Sequence, residues 1–311
     1  MRGMAEARIW EKALQCSASA LAQGALQPLD TELLPLASLQ AAGFECRRLR
    51  SHLPRHLRPA GPKPNPFRPW DRRLEVEPVA DDHVLILNKY PVQRGHLLLI
   101  SRDWVPQGAW LTANDWRAVA QVDADTTGLW FFNSGPLAGA SQPHRHLQLL
   151  PRSATEALCP RQHWFETQVR FIDDQPGNRS QERLVGDPLR AACAVLARER
   201  GCADTDPALS LQQLYRHLAL SLELGDPESA AAPAHPYNLL LTPQWMALIR
   251  REREHSHGFS INGLGFAGYL LLTDNADAHW LERHGPEALL REVVPNIRAS
   301  TVGGVAVDVN R

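Results

Sequence analysis

One segment constrains the fold of this chain more than any other, because polar side chains recur at every second residue from His144 to Gln148 while residues 147 and 149 are leucines. Residues two apart share one face of a β-strand, so the alternation predicts a strand whose polar face carries His144, His146 and Gln148. The other face of that strand carries leucines, and Pro151 ends it. Imidazoles and amides need hydrogen-bond partners when they are buried, so the polar face is poor core material. We therefore predict that this face lines a site.

Other short apolar runs indicate the sheet to which this strand belongs. The runs are residues 83–88, 96–100, 129–133, 237–241 and 245–249, and turn-forming residues separate the first two. This spacing is typical of antiparallel pairing. Strands and helices do not alternate along the chain, and the glycine fingerprints of the P-loop and Rossmann folds are absent from the sequence. The sequence thus predicts an α+β fold and argues against a doubly wound parallel sheet.

Helical periodicity surrounds the predicted strands. Apolar residues recur at helical spacing in residues 4–50, 207–224 and 277–293, and Thr112 is placed to cap a further helix. Residues 54–69 carry six prolines. They predict an extended segment, because proline fits neither a helix interior nor a central strand.

The composition limits the classes of molecule that this protein is expected to bind. The formal net charge is −1, so no global positive field exists to hold nucleic acid or an anionic membrane. The five cysteines are scattered without a Cys-x-x-Cys pair, which argues against a disulfide framework or a zinc ribbon. The sequence shows no signal-peptide h-region and no run of the roughly 20 apolar residues that a membrane span needs. These features predict a cytoplasmic protein that binds neither nucleic acid nor membranes.

The loop before the polar strand is small and polar. Its glycines and serine allow a tight turn whose backbone N–H groups converge, and such nests bind anions, phosphates above all. Neutral imidazole is a good nucleophile and can form a covalent intermediate. A phosphate-binding loop that leads directly into two histidines therefore points to phosphoryl or nucleotidyl chemistry. This loop spans residues 133–142.

Spacing alone leaves other interpretations open. A His-x-His pair on a strand can bind a metal, the polar face can be structural, and the loop can be a plain tight turn. A metal site would require carboxylate or further histidine ligands, and no Asp or Glu cluster flanks the strand. Gln148 is a poor ligand for a transition metal but a good hydrogen-bond donor to a phosphoryl oxygen. The residues therefore favour phosphoryl chemistry, with no metal ligand assigned.

Residues 139–148 read Gly-Ala-Ser-Gln-Pro-His-Arg-His-Leu-Gln. They resemble the signature of the ATP adenylyltransferases, also called diadenosine tetraphosphate (Ap4A) phosphorylases. This family belongs to the histidine-triad superfamily, on the branch with galactose-1-phosphate uridylyltransferase. Hydrolases of the superfamily carry a third histidine where this sequence has Gln148. Other segments that resemble the same family are residues 63–67, 88–92, 95–99, 237–246 and 262–268.

The resemblance implies a fold and a division of the chain. It predicts a histidine-triad-like antiparallel sheet flanked by helices, with an added C-terminal module packed on it. The N-terminal helices and the catalytic region take residues 1–205, and the ATP adenylyltransferase module takes residues 206–311. For residues 160–205 the resemblance implies no role. The stretch Ile249-Arg250-Arg251 departs from the family pattern, so Arg250 and Arg251 are weak candidates for ligands; a charged run is usually solvated, and that is the expectation here.

The resemblance also implies a mechanism. His146 would attack the α-phosphorus of Ap4A or ATP, and an adenylyl-histidine would form while the remaining polyphosphate leaves. Inorganic phosphate or another nucleotide would then take the adenylyl group, so that Ap4A and phosphate give ATP and ADP reversibly. Gln148 would hydrogen-bond the transferred phosphoryl group without relaying a proton to water. His144 would orient the site, bond a leaving oxygen or act only as support.

Further ligands follow from the same resemblance. Five loop residues would cradle the polyphosphate, namely Asn133, Ser134, Gly135, Ser141 and Gln142. Lys63 would meet its distal phosphates unless it is a plain solvated lysine. Asn88 and Lys89 would contact a ribose or a phosphate, with a plain turn as the alternative. Magnesium is expected on the substrate polyphosphate rather than in a protein cage. Three aromatic residues offer an adenine platform or pack in the core, namely Trp70, Trp130 and Phe132.

The same site has rival functions. One is hydrolysis of dinucleoside polyphosphates, and another is adenylyl transfer of the ADP-sulfurylase type. A nucleotide sensor without chemistry is a third, and the intact His-x-His-x-Gln pattern argues against it.

Overall fold

The computed structural model describes residues 8–51, 65–153, 155–170, 187–198 and 206–296. Lys63 and most of the proline-rich segment lie outside these residues, so what is expected of them stays a prediction. None of the helices in the described ranges is long and apolar enough to span a membrane.

The strands and helices follow one another irregularly along the chain. The strands are β1 (Thr31–Leu34), β2 (Glu45–Leu49), β3 (Glu75–Val79), β4 (His83–Leu87), β5 (Leu97–Ser101), β6 (Gly128–Asn133), β7 (His146–Pro151), β8 (Cys193–Ala197), β9 (Tyr237–Leu241), β10 (Trp245–Arg250), β11 (His255–Ser256), β12 (Phe259–Ser260) and β13 (Tyr269–Leu272). The helices are α1 (Arg8–Ala22), α2 (Ala37–Ala41), α3 (Ala113–Asp123), α4 (Gln162–Glu166), α5 (Pro188–Ala191), α6 (Pro207–Ser221), α7 (Gly263–Ala267), α8 (Ala278–His284) and α9 (Pro286–Glu292).

Eight strands form one antiparallel sheet in the order β3-β4-β5-β7-β6-β9-β10-β8. Every strand predicted from an apolar run belongs to it, within one residue of the predicted bounds. The α+β class is therefore confirmed, and all neighbouring strands of this sheet pair in the antiparallel sense. Because β6 pairs with β9, the sheet is continuous across both parts of the chain. The division at residue 205 stays a prediction, with β8 on one side of it paired to β10 on the other.

One face of the sheet is covered by α1, α3 and α6. Alternate side chains of the strands pack with these helices in a single apolar cluster. Trp130 and Phe132 are fully buried in that cluster, so these two aromatic rings pack in the core. Burying an apolar side chain of this size contributes roughly 1.5–3 kcal/mol to folding. This face therefore holds the sheet rigid behind the site.

The other face is covered in two separate patches. On one side of β7, Phe67 packs on the apolar side chains of β4 and β5. On the other side, β6, β9 and β10 pack against the short C-terminal helices and against β2 and β13. The polar face of β7 runs between these patches, with His146 and Gln148 on it. The fold thus leaves one polar strip on an otherwise apolar surface, where the sequence predicted it.

The predicted helix over residues 4–50 is wrong in part. α1 and α2 are helical, but residues 31–34 and 45–49 form β1 and β2. These strands pair with each other, and β2 also pairs in parallel with β13 near the other end of the chain. The leucines here recur at helical spacing, yet a partner this distant in sequence overrides local periodicity.

The predicted final helix over residues 277–293 is two helices. α8 and α9 meet at Gly285, whose φ of +80° lies in the left-handed region. Glycine reaches that region without strain, and Pro286 suits the first position of the next helix. By contrast, Thr112 caps α3 as predicted and forms a capping box with Asp115.

Candidate active site

His146 is the first residue of β7, and only 4% of its surface is exposed. Its Nδ1–H donates to the backbone carbonyl oxygen of His144 at 2.8 Å. A carbonyl can only accept a hydrogen bond, so the proton is fixed on Nδ1 and the lone pair is on Nε2. Within the described part of the chain, nothing hydrogen-bonds Nε2. The ring is therefore held by one nitrogen and open at the other.

Burial keeps the His146 ring neutral. Desolvation lowers the pKa of His146 to about 4, and the nearby His144 and Arg145 act in the same direction. The hydrogen bond to the His144 carbonyl opposes this effect but does not outweigh it. At neutral pH the side chain is consequently a neutral imidazole with its proton on Nδ1, which is the nucleophilic form.

The His144 ring has both nitrogens occupied. Its Nε2–H donates to the carbonyl oxygen of Ser101 at 2.8 Å, and its Nδ1 accepts from the side-chain amide of Asn65 at 2.8 Å. The Phe67 ring stands edge-on to it, with 5.6 Å between ring centroids. Burial also lowers the pKa of His144. This ring is fixed from two sides, and its own carbonyl in turn fixes His146.

Gln148 is oriented by a histidine that precedes β5. The Nε2–H of His96 donates to Oε1 of Gln148 at 3.0 Å, while Nδ1 of His96 accepts from the Asn88 side-chain amide at 3.1 Å. Desolvation lowers the pKa of His96 to about 4, so this ring is neutral too. Because its oxygen is taken, Gln148 keeps its NH₂ group for another partner. Asn88, a predicted nucleotide ligand, here sets the tautomer of His96.

Lys89 lies in the turn that follows Asn88. Its Nζ lies 5.6 Å from the centroid of the Tyr90 ring. Among the described residues no carboxylate forms an ion pair with it, so its charge is available to an anionic ligand.

The loop over residues 134–142 is partly bonded to itself. The N–H groups of residues 138–140 donate to carbonyl oxygens inside the loop. Of the predicted anion ligands, Gly135, Ser141 and Gln142 have N–H groups without a partner in the described ranges. Among the predicted ligands, these three N–H groups are therefore the backbone donors that remain available to an anion.

Asn133 and Ser134 join the loop to the C-terminal part of the sheet. Oδ1 of Asn133 accepts from Nδ2 of Asn238 at 2.8 Å and from the N–H of Gly263 at 2.9 Å. Oγ of Ser134 accepts from the N–H of Tyr237 at 2.7 Å. These bonds tie the loop to the C-terminal part of the sheet, and the contact of either residue with a phosphate stays a prediction.

Gln142 has a buried side chain with an unsatisfied end. Only 5% of the residue is exposed, and its Oε1 has no hydrogen-bond partner among the described residues. Leaving such a group unpaired costs roughly 1–3 kcal/mol. A polar ligand or a water molecule beside the loop would remove this cost.

Behind the polar face lies a buried ion pair. Arg145 is fully buried, and its NH1 lies 2.6 Å from Oδ2 of Asp115. Its NH2 group donates to the carbonyl oxygens of Pro106, Ala109 and Trp110 at 2.9–3.1 Å. The segment that carries the two histidines is thereby joined to the turn over residues 106–110.

Arg251 does not lie on a solvated charged run, and that expectation is wrong for it. The side chain is 2% exposed, and it donates to Oδ1 of Asn238 at 2.6 Å and to the carbonyl oxygen of Ile261 at 2.9 Å. Burial lowers the pKa of Arg251 to about 9. Arg250 is only partly buried and pairs with Glu223 at the surface. Arg251 therefore braces the segments behind the loop.

The geometry of the two rings disfavours a shared metal ion. Nδ1 of His146 faces a carbonyl oxygen, and both nitrogens of His144 are hydrogen-bonded. In the described ranges no group of three or more His, Cys, Asp or Glu side chains is placed to hold a metal ion. A nucleophilic role for His146 fits these contacts better than a metal pair.

Sequence reasoning missed several residues that build the site. His96 belongs to a segment that resembles the family, but no role was predicted for it. A polar residue placed directly before an apolar strand run was the available signal. Gln107 and Asn238 gave no local signal, because their importance comes only from contacts with distant parts of the chain.

The fold and the site define a protein with a neutral, oriented histidine on the polar strip of an antiparallel sheet. Residues 2–163 match the family described as Ap4A phosphorylase N-terminal domain. Residues 188–295 match the family described as ATP adenylyltransferase C-terminal domain. The chain therefore belongs to the Ap4A phosphorylase family.

Two curated proteins of Saccharomyces cerevisiae are similar to this chain. Protein APA1 is 27% identical over 229 residues, which are 66% of this chain and 65% of that protein. Diadenosine 5',5'''-P1,P4-tetraphosphate phosphorylase 2 is 28% identical over 229 residues, which are 68% of this chain and 69% of that protein. The similarity thus spans about two thirds of the length of these relatives.

Solved structures share the fold. Yeast Ap4A phosphorylase Apa2 in complex with AMP superposes with a TM-score of 0.67 at 22% identity, covering 94% of this chain and 99% of that one. The same enzyme in complex with Ap4A gives a TM-score of 0.67, covering 91% of this chain and 96% of that one. The α+β architecture with its large antiparallel sheet is therefore common to this chain and to yeast Apa2.

Proposed function

We propose that this chain is an ATP adenylyltransferase that converts Ap4A and inorganic phosphate reversibly into ATP and ADP. The observation that carries the proposal is the His146 ring, which is neutral, held through Nδ1–H and open at Nε2. Membership of the Ap4A phosphorylase family supports the substrate. One yeast relative is named for this phosphorolysis, and yeast Apa2 has been crystallised with Ap4A.

The first half-reaction transfers an adenylyl group to the histidine. The lone pair of His146 Nε2 attacks the α-phosphorus of Ap4A, and the bond from that phosphorus to its bridging oxygen breaks. ATP leaves with the bridging oxygen, and a phosphorus–nitrogen bond joins AMP to the ring. Splitting one displacement into two in this way is the general advantage of covalent catalysis.

The second half-reaction returns the ring to its starting state. An oxygen of inorganic phosphate attacks the same phosphorus, the phosphorus–nitrogen bond breaks, and ADP leaves. Throughout, Nδ1 keeps its proton, and the Nδ1–H group donates a hydrogen bond to the carbonyl oxygen of His144 at 2.8 Å. The ring carries more positive charge while it is adenylylated, and a hydrogen bond from a charged donor is stronger. We assign His144 a positioning role, because both nitrogens of its own ring are engaged.

Gln148 directs the intermediate toward phosphate rather than water. His96 holds its oxygen, so its NH₂ group donates to an oxygen of the transferred phosphoryl group. An amide has no basic site that could deprotonate a water molecule at neutral pH. The adenylyl group therefore persists on His146 until a phosphate oxygen arrives.

The polyphosphate chain is bound by the loop and by nearby cations. The backbone N–H groups of Gly135, Ser141 and Gln142 are the donors that the loop offers. Lys89 and Lys63 supply positive charge for phosphates farther from the reacting centre. Magnesium enters bound to the substrate polyphosphate and neutralises part of its charge. We place this reaction in the cytoplasm, as the scattered cysteines suggest.

A phosphate-dependence assay tests the proposed function. The protein is mixed with Ap4A in the presence and absence of inorganic phosphate, and the nucleotides are separated over time. We expect equal amounts of ATP and ADP with phosphate, and at most one ATP per chain without it, because the adenylyl group has no acceptor. Continuous release of AMP and ATP at the same rate without phosphate would identify a hydrolase instead. Efficient formation of ADP from phosphate and adenosine 5'-phosphosulfate, with Ap4A inert, would identify ADP-sulfurylase-type transfer.

A further inference from the structure

The ladder between β6 and β7 stops short of the nucleophile. It runs from the pair Gly128 and Pro151 to the pair Phe131 and Gln148. Continued in the same register, it would pair Asn133 with His146 two residues farther on. That pair does not form, although both residues belong to these strands.

The side chain of Gln107 fills the gap. Its Oε1 accepts from the backbone N–H of His146 at 2.8 Å. Its Nε2 donates to the backbone oxygen of Asn133 at 2.8 Å and to that of His146 at 3.1 Å. An amide is thus inserted into what would be a hydrogen-bonded pair of an antiparallel ladder.

Gln107 is itself held firmly in place. Only 2% of the residue is exposed, and its backbone N–H donates to the carbonyl oxygen of Pro143 at 2.8 Å. The turn that carries it is fixed by Arg145, which donates to backbone carbonyls on both sides of Gln107. The inserted amide is therefore rigid rather than a mobile surface group.

We propose that Gln107 is a positioning residue that holds β6 and β7 apart at the nucleophile and fixes the main chain of His146. This inference rests on the proposed function of His146. Direct pairing of Asn133 and His146 would bring the strands to the usual spacing of roughly 4.8 Å and draw the ring toward the loop over residues 134–142. The inserted amide preserves room between the ring and that loop, where the transferred phosphoryl group is bound. Gln107 acts through His146, because every polar group of its side chain is bonded to main chain.

The Gln107→Glu variant tests this role with almost no change of shape. The carboxylate still accepts from the His146 N–H, but it faces the two backbone oxygens without a donor. We expect kcat for Ap4A phosphorolysis to fall about 10²-fold, since a displacement of about 1 Å at the reacting atom costs that much. KM for Ap4A should change little, because Gln107 does not touch the substrate. At lower pH the buried carboxyl gains a proton that can donate again, so the deficit relative to wild type should shrink.

Gln121→Glu is the matched control. Gln121 lies exposed on α3, and its Oε1 accepts from the backbone N–H of Ala80 at 3.2 Å. This variant should keep the kcat of the wild type at every pH. Thermal unfolding of both variants checks that each one folds.

Hydrogen exchange gives a readout that does not depend on activity. The amide proton of His146 should exchange slowly in the wild type and faster in a Gln107→Ala variant, which has no acceptor for it. An unchanged kcat in Gln107→Glu would overturn the positioning role. A rise in KM that accounts for the whole loss of kcat/KM would overturn it as well. If the wild type shows no phosphorolysis while its His146 amide is protected, the proposed function fails although the contact itself exists.

Discussion

The His146→Ala variant is expected to lose Ap4A phosphorolysis by about 10³-fold or more, since removing an enzyme's nucleophile has effects of this size or larger. The reason is geometric. His146 is the one residue for which burial, a fixed Nδ1 proton and an open Nε2 coincide on the polar strip of β7, in the part of the chain that the structure describes. The measurement is steady-state release of ATP and ADP from Ap4A and phosphate. Binding of AMP should survive, because the loop over residues 134–142 does not depend on the imidazole.

A histidine outside the site provides the control for this variant. His284 is exposed at the end of α8 and stacks on Trp280, with 4.6 Å between the ring centroids. The His284→Ala variant should turn over at the wild-type rate. If His146→Ala kept turnover and still formed an adenylylated protein, the nucleophile would have to be another residue.

The Asp115→Ala variant should have the largest effect on stability. Arg145 is fully buried and Asp115 is 3% exposed, so removing the carboxylate leaves a guanidinium charge buried without its partner. Breaking a buried ion pair in this way costs about 3–5 kcal/mol. The same carboxylate caps α3, which adds to the loss. Urea unfolding followed by tryptophan fluorescence measures the free energy of unfolding.

A partly exposed surface ion pair serves as the reference for Asp115. Asp226 pairs with Arg216 at 2.7 Å on the surface, and Asp226→Ala should cost far less stability because solvent screens that pair. Equal losses in the two variants would show that the buried pair contributes no more than a surface one. In that case Arg145 would not be what holds the turn over residues 106–110 against β7.

The sequence predicts the sheet and its polar strip well, for a local reason. Period-two alternation is set by neighbouring residues, so β7 and the shared face of His146 and Gln148 follow from a short segment. β1 and β2 could not be predicted in the same way. Their pairing depends on β13, which lies near the other end of the chain, and local spacing there favours a helix.

The details of the site depend on contacts between distant residues. Nothing in the sequence around Gln107 indicates that its amide inserts between two strands, since both partners lie in other segments. Arg251 was misjudged for a similar reason, because charged runs are commonly solvated while this guanidinium meets Asn238 and several carbonyl oxygens. Periodicity thus predicts which face of a strand forms a site, and packing decides how each side chain serves it.

The most direct test of the nucleophile is to trap the adenylylated protein. The wild type is mixed with excess Ap4A without phosphate, quenched at neutral or alkaline pH, digested and analysed by mass spectrometry. We predict one adenylyl group on the peptide that contains His146, with one ATP released per chain. Added phosphate should remove the group as ADP. An adduct on a different residue, or steady release of AMP while His146 stays unmodified, would contradict the account.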